Sequence, residues 1–308
     1  MDIVKEHFIP VSFEIAYINR RPDAEGRFLR EKIRIPSFNG WMAVTPNGKI
    51  LNNEPYLDLV LQRGLENWRK LPEEERRPGL ALDDLGPIDP AYDLAPPPGG
   101  LVLSVAIRSL VRDSKGELHA PVKVDLENAG APPIAAQAQR DHLWLTAAEA
   151  ASLVPAAPSK GQKVAAPEFL RDRIFRYYLK DSSTCIPGTA AAKYGVYGGT
   201  LDFEVLEVGA RVRLAIRGTA RGGGPEFQLA GVLDYSSADR AISRFDLVAF
   251  SETAHVEKKS RECFPLGISF ELCRGERPMD RVPPYFFTLE HWGQDPKAMA
   301  DAYFGVKR

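Results

Sequence analysis

At 308 residues, 44% of them hydrophobic and 26% charged, the chain has the balance of a globular protein able to bury a core and long enough for two ordinary domains, which excludes disorder throughout. Forty basic residues against 41 acidic ones leave a net charge of -1, with no electrostatic footprint for nucleic acid or an anionic membrane. The partner expected is therefore a small molecule or another protein.

The opening stretch MDIVKEHFIPVSFEIAYINRR has too short an apolar run for a membrane span and lacks the small-residue cleavage pattern of a signal peptide, so a cytoplasmic location is expected. Within it, Val11, Phe13 and Ile15 alternate with polar neighbours, and Phe8–Ala16 reads as a strand. A helical or irregular stretch follows through Arg27–Ile35. Trp41–Val44 and Lys49–Leu51 flank Thr45-Pro46-Asn47-Gly48, whose Asn-Gly tip marks a hairpin because both residues tolerate positive φ. From Pro55 to Leu71 the residues Leu57, Val60, Leu61, Leu65, Trp68 and Leu71 recur at three- and four-residue steps, the stripe of an amphipathic helix that Pro72 ends.

The stretch from 73 to 100 is rich in proline, glycine and acids and reads as a linker between an N-terminal unit (1–72) and a β-rich unit (101–308). Leu101–Val111 reads as a strand with Ala120–Leu126 as its hairpin partner. Thr146-Ala-Ala-Glu149 has the form of a capping box that opens a short helix near 146–154, closed by Pro155, and Pro167–Leu179 reads as a longer helix. After Gly199 the pattern becomes a β meander. Leu201, Phe203 and Val205 return about Gly209-Ala210 as Val212, Leu214 and Ile216, which sets Phe203 opposite Ile216 and Asp202 opposite Arg217. Phe227–Tyr235, Ile242–Phe250 and Leu266–Leu272 supply three more strands. The fold class expected is α+β, a small mixed unit followed by a mostly antiparallel β domain with two helices.

In the N-terminal part the order strand, helix, IPSFNGW, hairpin with TPNGKI and final helix resembles the second half of a thioredoxin fold over roughly residues 8–71. The resemblance implies that Pro36 stands where that family carries the proline that faces its redox site. More widely, DAEGRFLREK, GLENWRKLPEEERRPG, DHLWLTAAE, RFDLVAFSE and PLGISFEL…RVPP resemble uncharacterised bacterial proteins that join a truncated thioredoxin-like segment to a C-terminal β domain. That resemblance implies architecture and transfers no catalytic residue. The chain departs from a working thioredoxin in having no Cys-X-X-Cys. Because it begins almost directly before the first strand, the expectation is either a degenerate half-domain or a start that lies upstream.

Chemistry-bearing residues are few. Three cysteines, Cys185, Cys263 and Cys273, are unlike a disulfide framework and fit a reducing compartment. On one extended strand Cys263 and Cys273 would stand roughly 30 Å apart, whereas a disulfide needs Cα atoms within about 7 Å, so a redox pair requires a sharp turn at Phe264-Pro265-Leu266-Gly267. The alternative is inert, partly buried thiols. Five histidines, His7, His119, His142, His255 and His291, include no pair at metal-motif spacing, and neither a metal nor a cofactor is expected. Ser251, Glu252 and His255 gather a hydroxyl, a carboxylate and an imidazole at a strand exit, but the Gly-X-Ser-X-Gly elbow of a hydrolase is missing. Gly222–Gly224 lacks the Gly-Lys-Ser/Thr of a phosphate loop and reads as a turn. Tyr177, Tyr178, Tyr235, His142 and Pro36 form a candidate pocket, with plain core as the competing reading. The functional expectation is a non-catalytic binding or scaffold protein. The alternatives are a thiol–disulfide protein using Cys263 and Cys273, or an upstream cysteine pair absent from this chain, and a hydrolase using Ser251 and His255.

Overall fold

The computed structural model describes residues 2–11, 21, 23–33, 41–54, 56–77, 94–129, 138–179, 196–222, 226–252, 264–273, 278–285, 300–301 and 303–304. The chain divides into two units, Met1–Leu94 and Ala95–Arg308. Mixed helix and strand with one large antiparallel sheet makes the fold class α+β, and no described helix is long and apolar enough to cross a membrane.

In the first unit, helices α1 (Asp2–His7) and α2 (Ala24–Arg27) precede a π-helical turn, Phe28–Ile33. Strands β1 (Trp41–Val44) and β2 (Ile50–Glu54) then pair antiparallel, and α3 (Leu57–Lys70) follows. The hairpin closes as its Asn-Gly tip implies, with Gly48 at φ 90° donating to the Thr45 carbonyl. Two amides lock the helix to the hairpin: Asn67 Nδ2 donates to Leu51 O at 2.8 Å and Asn52 Nδ2 to Leu59 O at 3.2 Å. The helix starts two residues later than the sequence implies, at Leu57 after the extended Tyr56, and ends before Pro72. Most of the strand expected over Phe8–Ala16, and Pro36, lie outside the described residues, and Phe8–Val11 are in no strand.

The second unit is built on an eight-stranded sheet. Its strands, in chain order, are β3 (Leu101–Ser109), β6 (Gln139–Leu145), β7 (Lys163–Ala165), β8 (Val196–Glu207), β9 (Arg211–Gly222), β10 (Phe227–Ser236), β11 (Ile242–Ser251) and β12 (Leu266–Cys273), and their spatial order is β6-β3-β12-β11-β10-β9-β8-β7. Every pairing is antiparallel. Period-two alternation separates the faces: Leu103, Phe270, Leu247, Leu233, Leu214 and Phe203 are buried on one, while Arg244, Glu271, Arg211 and Asp202 lie on the other. The register matches the sequence expectation residue for residue at Phe203↔Ile216 and Asp202↔Arg217. Helix α5 (Ala147–Ser152) follows β6 and helix α6 (Glu168–Tyr177) follows β7, and just beyond α6 the Tyr178 ring meets Phe270 edge-on, 5.8 Å between centroids, which brings this end of the helix to the apolar face.

One expected strand pairing fails in this unit. Ala120–Leu126 is not the partner of β3. A two-residue strand β4 (Val111–Arg112) pairs with β5 (Leu118–His119), and helix α4 (Lys123–Ala129) follows. The apolar residues Val122, Val124 and Leu126 alternate like a strand, yet Val122 and Val124 are exposed, and the buried pair is Leu126 and Ala129, which pack with Phe264 at helical spacing. The stretch around Asp141-His142, to which no strand was assigned from the sequence, forms the edge strand β6, which pairs with β3.

Within β10 a Cβ on Gly231 would stand 2.2 Å from the Asp246 carbonyl oxygen and 2.8 Å from Leu247 Cα, both backbone atoms of the neighbouring strand. Neither can yield without parting the ladder. Gly231→Ala is expected to destabilise the unit by about 2–3 kcal/mol, an overpacking cost, measured as a shift of the urea midpoint at unchanged slope.

Candidate functional site

β6 is an edge strand, and an open edge presents a row of unpaired N–H and C=O groups. Here side chains take that row. The His142 N–H donates to Asp141 Oδ1 at 2.8 Å, and the His142 carbonyl accepts from Tyr178 Oη at 2.6 Å. The Trp144 N–H donates to Tyr303 Oη at 3.3 Å, and the Trp144 carbonyl accepts from Arg173 Nη1 at 3.0 Å. His142 and Trp144, two residues apart, therefore turn the same backbone edge outward.

Arg173 organises this edge. Its side chain is 2% exposed and its guanidinium reaches Glu149 Oε1 and Oε2, at 2.7 and 3.1 Å, and the Tyr303 carbonyl, while it stacks 4.3 Å above the Tyr303 ring. Glu149 is held in turn by the capping box that the sequence announced: Thr146 Oγ1 accepts from the Glu149 N–H, and Glu149 Oε2 accepts from the Thr146 N–H. Burial opposes the charge of Arg173, but the Glu149 carboxylate outweighs it and holds the guanidinium proton more tightly than usual.

Tyr178 and Tyr303 share a 3.0 Å hydroxyl contact. Burial pushes both phenols well above their ordinary range. A raised pKa in the folded state gives stability that is complete below the unfolded value of about 10 and is lost as pH rises above it, because only the unfolded chain releases the proton. Thermal unfolding is expected to shift downward from about pH 10, less steeply in Tyr303→Phe than in the parent.

Next to this edge three donors of different chemistry converge. His142, Cys273 and Asp280 place one ring nitrogen, the thiol sulfur and a carboxylate oxygen all within 4.8 Å of one another. The register explains two of them. His142 pairs with Ser104 and Cys273 with Val102, so both side chains share one face, two strands apart across β3, opposite to that of Leu103 and Phe270. Asp280 arrives from a separate element, the 3-10 turn Pro278–Arg281, which touches β3. His142 and Asp280 are buried, whereas Cys273 is partly open to solvent. Among the described residues the group has three members. Such a set can bind a soft or borderline cation, or present a thiol to a ligand beside an imidazole.

The other candidates from the sequence fall in separate places. Tyr177 stacks on Tyr303 at 5.8 Å and Tyr178 Oη donates to the His142 carbonyl, so these residues lie together, buried, around Tyr303, which the sequence did not single out. Tyr235 stands on β10, four strands from β6 and thus roughly 19 Å away at about 4.8 Å per strand. Ser251 is 2% exposed at the end of β11, and Glu252 reaches Arg112 Nη2 at 2.5 Å. His255, Cys185, Cys263 and Pro36 lie outside the described residues. Asp280 had no signal in the sequence beyond its acidity, since its neighbours in space come from β6 and β12. Compared with family models, curated proteins and solved structures, the chain has no match.

Proposed function

We propose that the C-terminal unit is a non-catalytic binding module whose ligand seats at His142, Cys273 and Asp280. One observation carries this reading: an imidazole, a thiol and a carboxylate, brought from two strands and a turn, meet within 4.8 Å beside an edge already held rigid by Arg173 and Tyr303. Structural cores gain little from gathering three such groups, because each loses hydration on burial and needs a partner to offset it. Ligand sites gain from it directly, since donors fixed in advance lose little freedom on binding. Beside it, the first unit is read as a thioredoxin-like half, a reading supported by its hairpin followed by a helix. The odd, sparse cysteines support a reducing cytoplasmic setting.

Native mass spectrometry of the purified full chain, set against its denatured mass, tests the binding reading. A ligand mass lost on denaturation and absent from Cys273→Ser supports it. A bare native mass with Cys273 alkylated as fast as a small-molecule thiol overturns it. Two thiols that resist alkylation until reduced would put the thiol–disulfide alternative in its place.

A further inference from the structure

We infer that the ligand of this site is a zinc-class divalent cation, held by Cys273 Sγ, one ring nitrogen of His142 and one carboxylate oxygen of Asp280; the inference rests on the binding reading above. The chemistry of the donors selects the ion. Calcium and magnesium take oxygen donors in six- to eightfold or octahedral shells, so a thiol and an imidazole exclude them. A Cys, His and Asp set suits a borderline-soft ion with no geometric demand of its own, which is zinc.

The spacing fits as well. Around a tetrahedral zinc with bonds of about 2.0–2.3 Å, neighbouring donor atoms stand roughly 3.3–3.6 Å apart. The three donors lie within 4.8 Å of one another, so contraction by at most about 1.5 Å, the reach of side-chain rotation, closes the shell. His142 and Cys273 are fixed by the ladders of β6 and β12, and Asp280, itself buried, comes from the turn after β12, so the donors come from a scaffold and not from one loop. As the zinc–sulfur bond forms, the Cys273 thiol gives its proton to solvent, and affinity therefore rises with pH. Among the described residues three protein donors converge, which leaves the fourth tetrahedral position to a water molecule. The ion would tie the Pro278–Arg281 turn to two strands that are not adjacent in the sheet.

Two measurements on the full chain test this. Titration with zinc chloride by calorimetry is expected to give one site per chain, weakened at least about 100-fold in Cys273→Ser and in Asp280→Asn, with far-ultraviolet circular dichroism confirming that each variant is folded. Cobalt(II) in place of zinc is expected to give the visible bands of a tetrahedral site together with a near-ultraviolet thiolate-to-cobalt transition that Cys273→Ser removes. Absence of metal binding, or binding that keeps its strength and its spectrum in Cys273→Ser, overturns the inference. A non-metal adduct in the native mass that disappears with Cys273→Ser, without zinc binding, overturns the zinc assignment and leaves the binding reading standing. A bare mass with neither metal nor adduct removes both.

Discussion

Arg173→Met is expected to destabilise the C-terminal unit by about 3–5 kcal/mol, the cost of breaking a buried ion pair by removing one partner. The methionine stem fills much of the space, so the loss is electrostatic in origin. It leaves Glu149, 15% exposed, without its cation, and leaves the Trp144 and Tyr303 carbonyls without the donor they now share. At about 2–4 °C per kcal/mol for a unit of this size, the melting temperature should fall by about 10 °C. Glu149→Gln should do less, because the amide oxygen still accepts one bond from Arg173 and the capping box persists. The double variant Arg173→Met with Glu149→Leu should recover part of the loss, since an apolar pair of similar volume strands no charge. Differential scanning calorimetry on the three proteins decides it, and equal losses in all three would show that packing rather than charge holds the edge.

The second large effect is linkage between zinc and stability. An ion that binds only the folded chain adds RT ln(1 + [L]/Kd), about 4 kcal/mol when free zinc stands a thousandfold above the dissociation constant. Zinc at that excess is therefore expected to raise the melting temperature by about 8–16 °C, and a chelator to return it to the starting value. Cys273→Ala should show no such rise, while its metal-free melting temperature stays close to that of the metal-free parent because the thiol is only partly buried. A rise of the same size in Cys273→Ala would place the zinc elsewhere on the chain.

Much of the sheet was legible because its code is local. The meander β8-β9-β10-β11 alternates apolar and polar residues about short connections, and cross-strand pairs such as Asp202 with Arg217 follow once the turn is placed. The capping box at Thr146 and Glu149 is likewise a four-residue signal. The edge strand β6 was not legible. All five residues from Asp141 to Leu145 are buried, so no alternation marks them, and their partner β3 precedes them by a long stretch of chain. The site inherits that difficulty. His142 belongs to the missed strand, Cys273 ends the last strand, and Asp280 sits on a turn, so the spacing that matters is across the sheet. Arg173 reads in the sequence as one more charged residue of an amphipathic helix, and only its Glu149 partner and the Tyr303 ring make its burial intelligible.

X-ray absorption at the zinc edge, on the full chain loaded with one equivalent of zinc, reads the donor set at His142, Cys273 and Asp280. A four-coordinate ion is expected, with one sulfur at about 2.3 Å and three nitrogen or oxygen neighbours at about 2.0–2.2 Å, the sulfur shell vanishing in Cys273→Ser. A shell of nitrogen and oxygen alone, or one sulfur that survives Cys273→Ser, would contradict it.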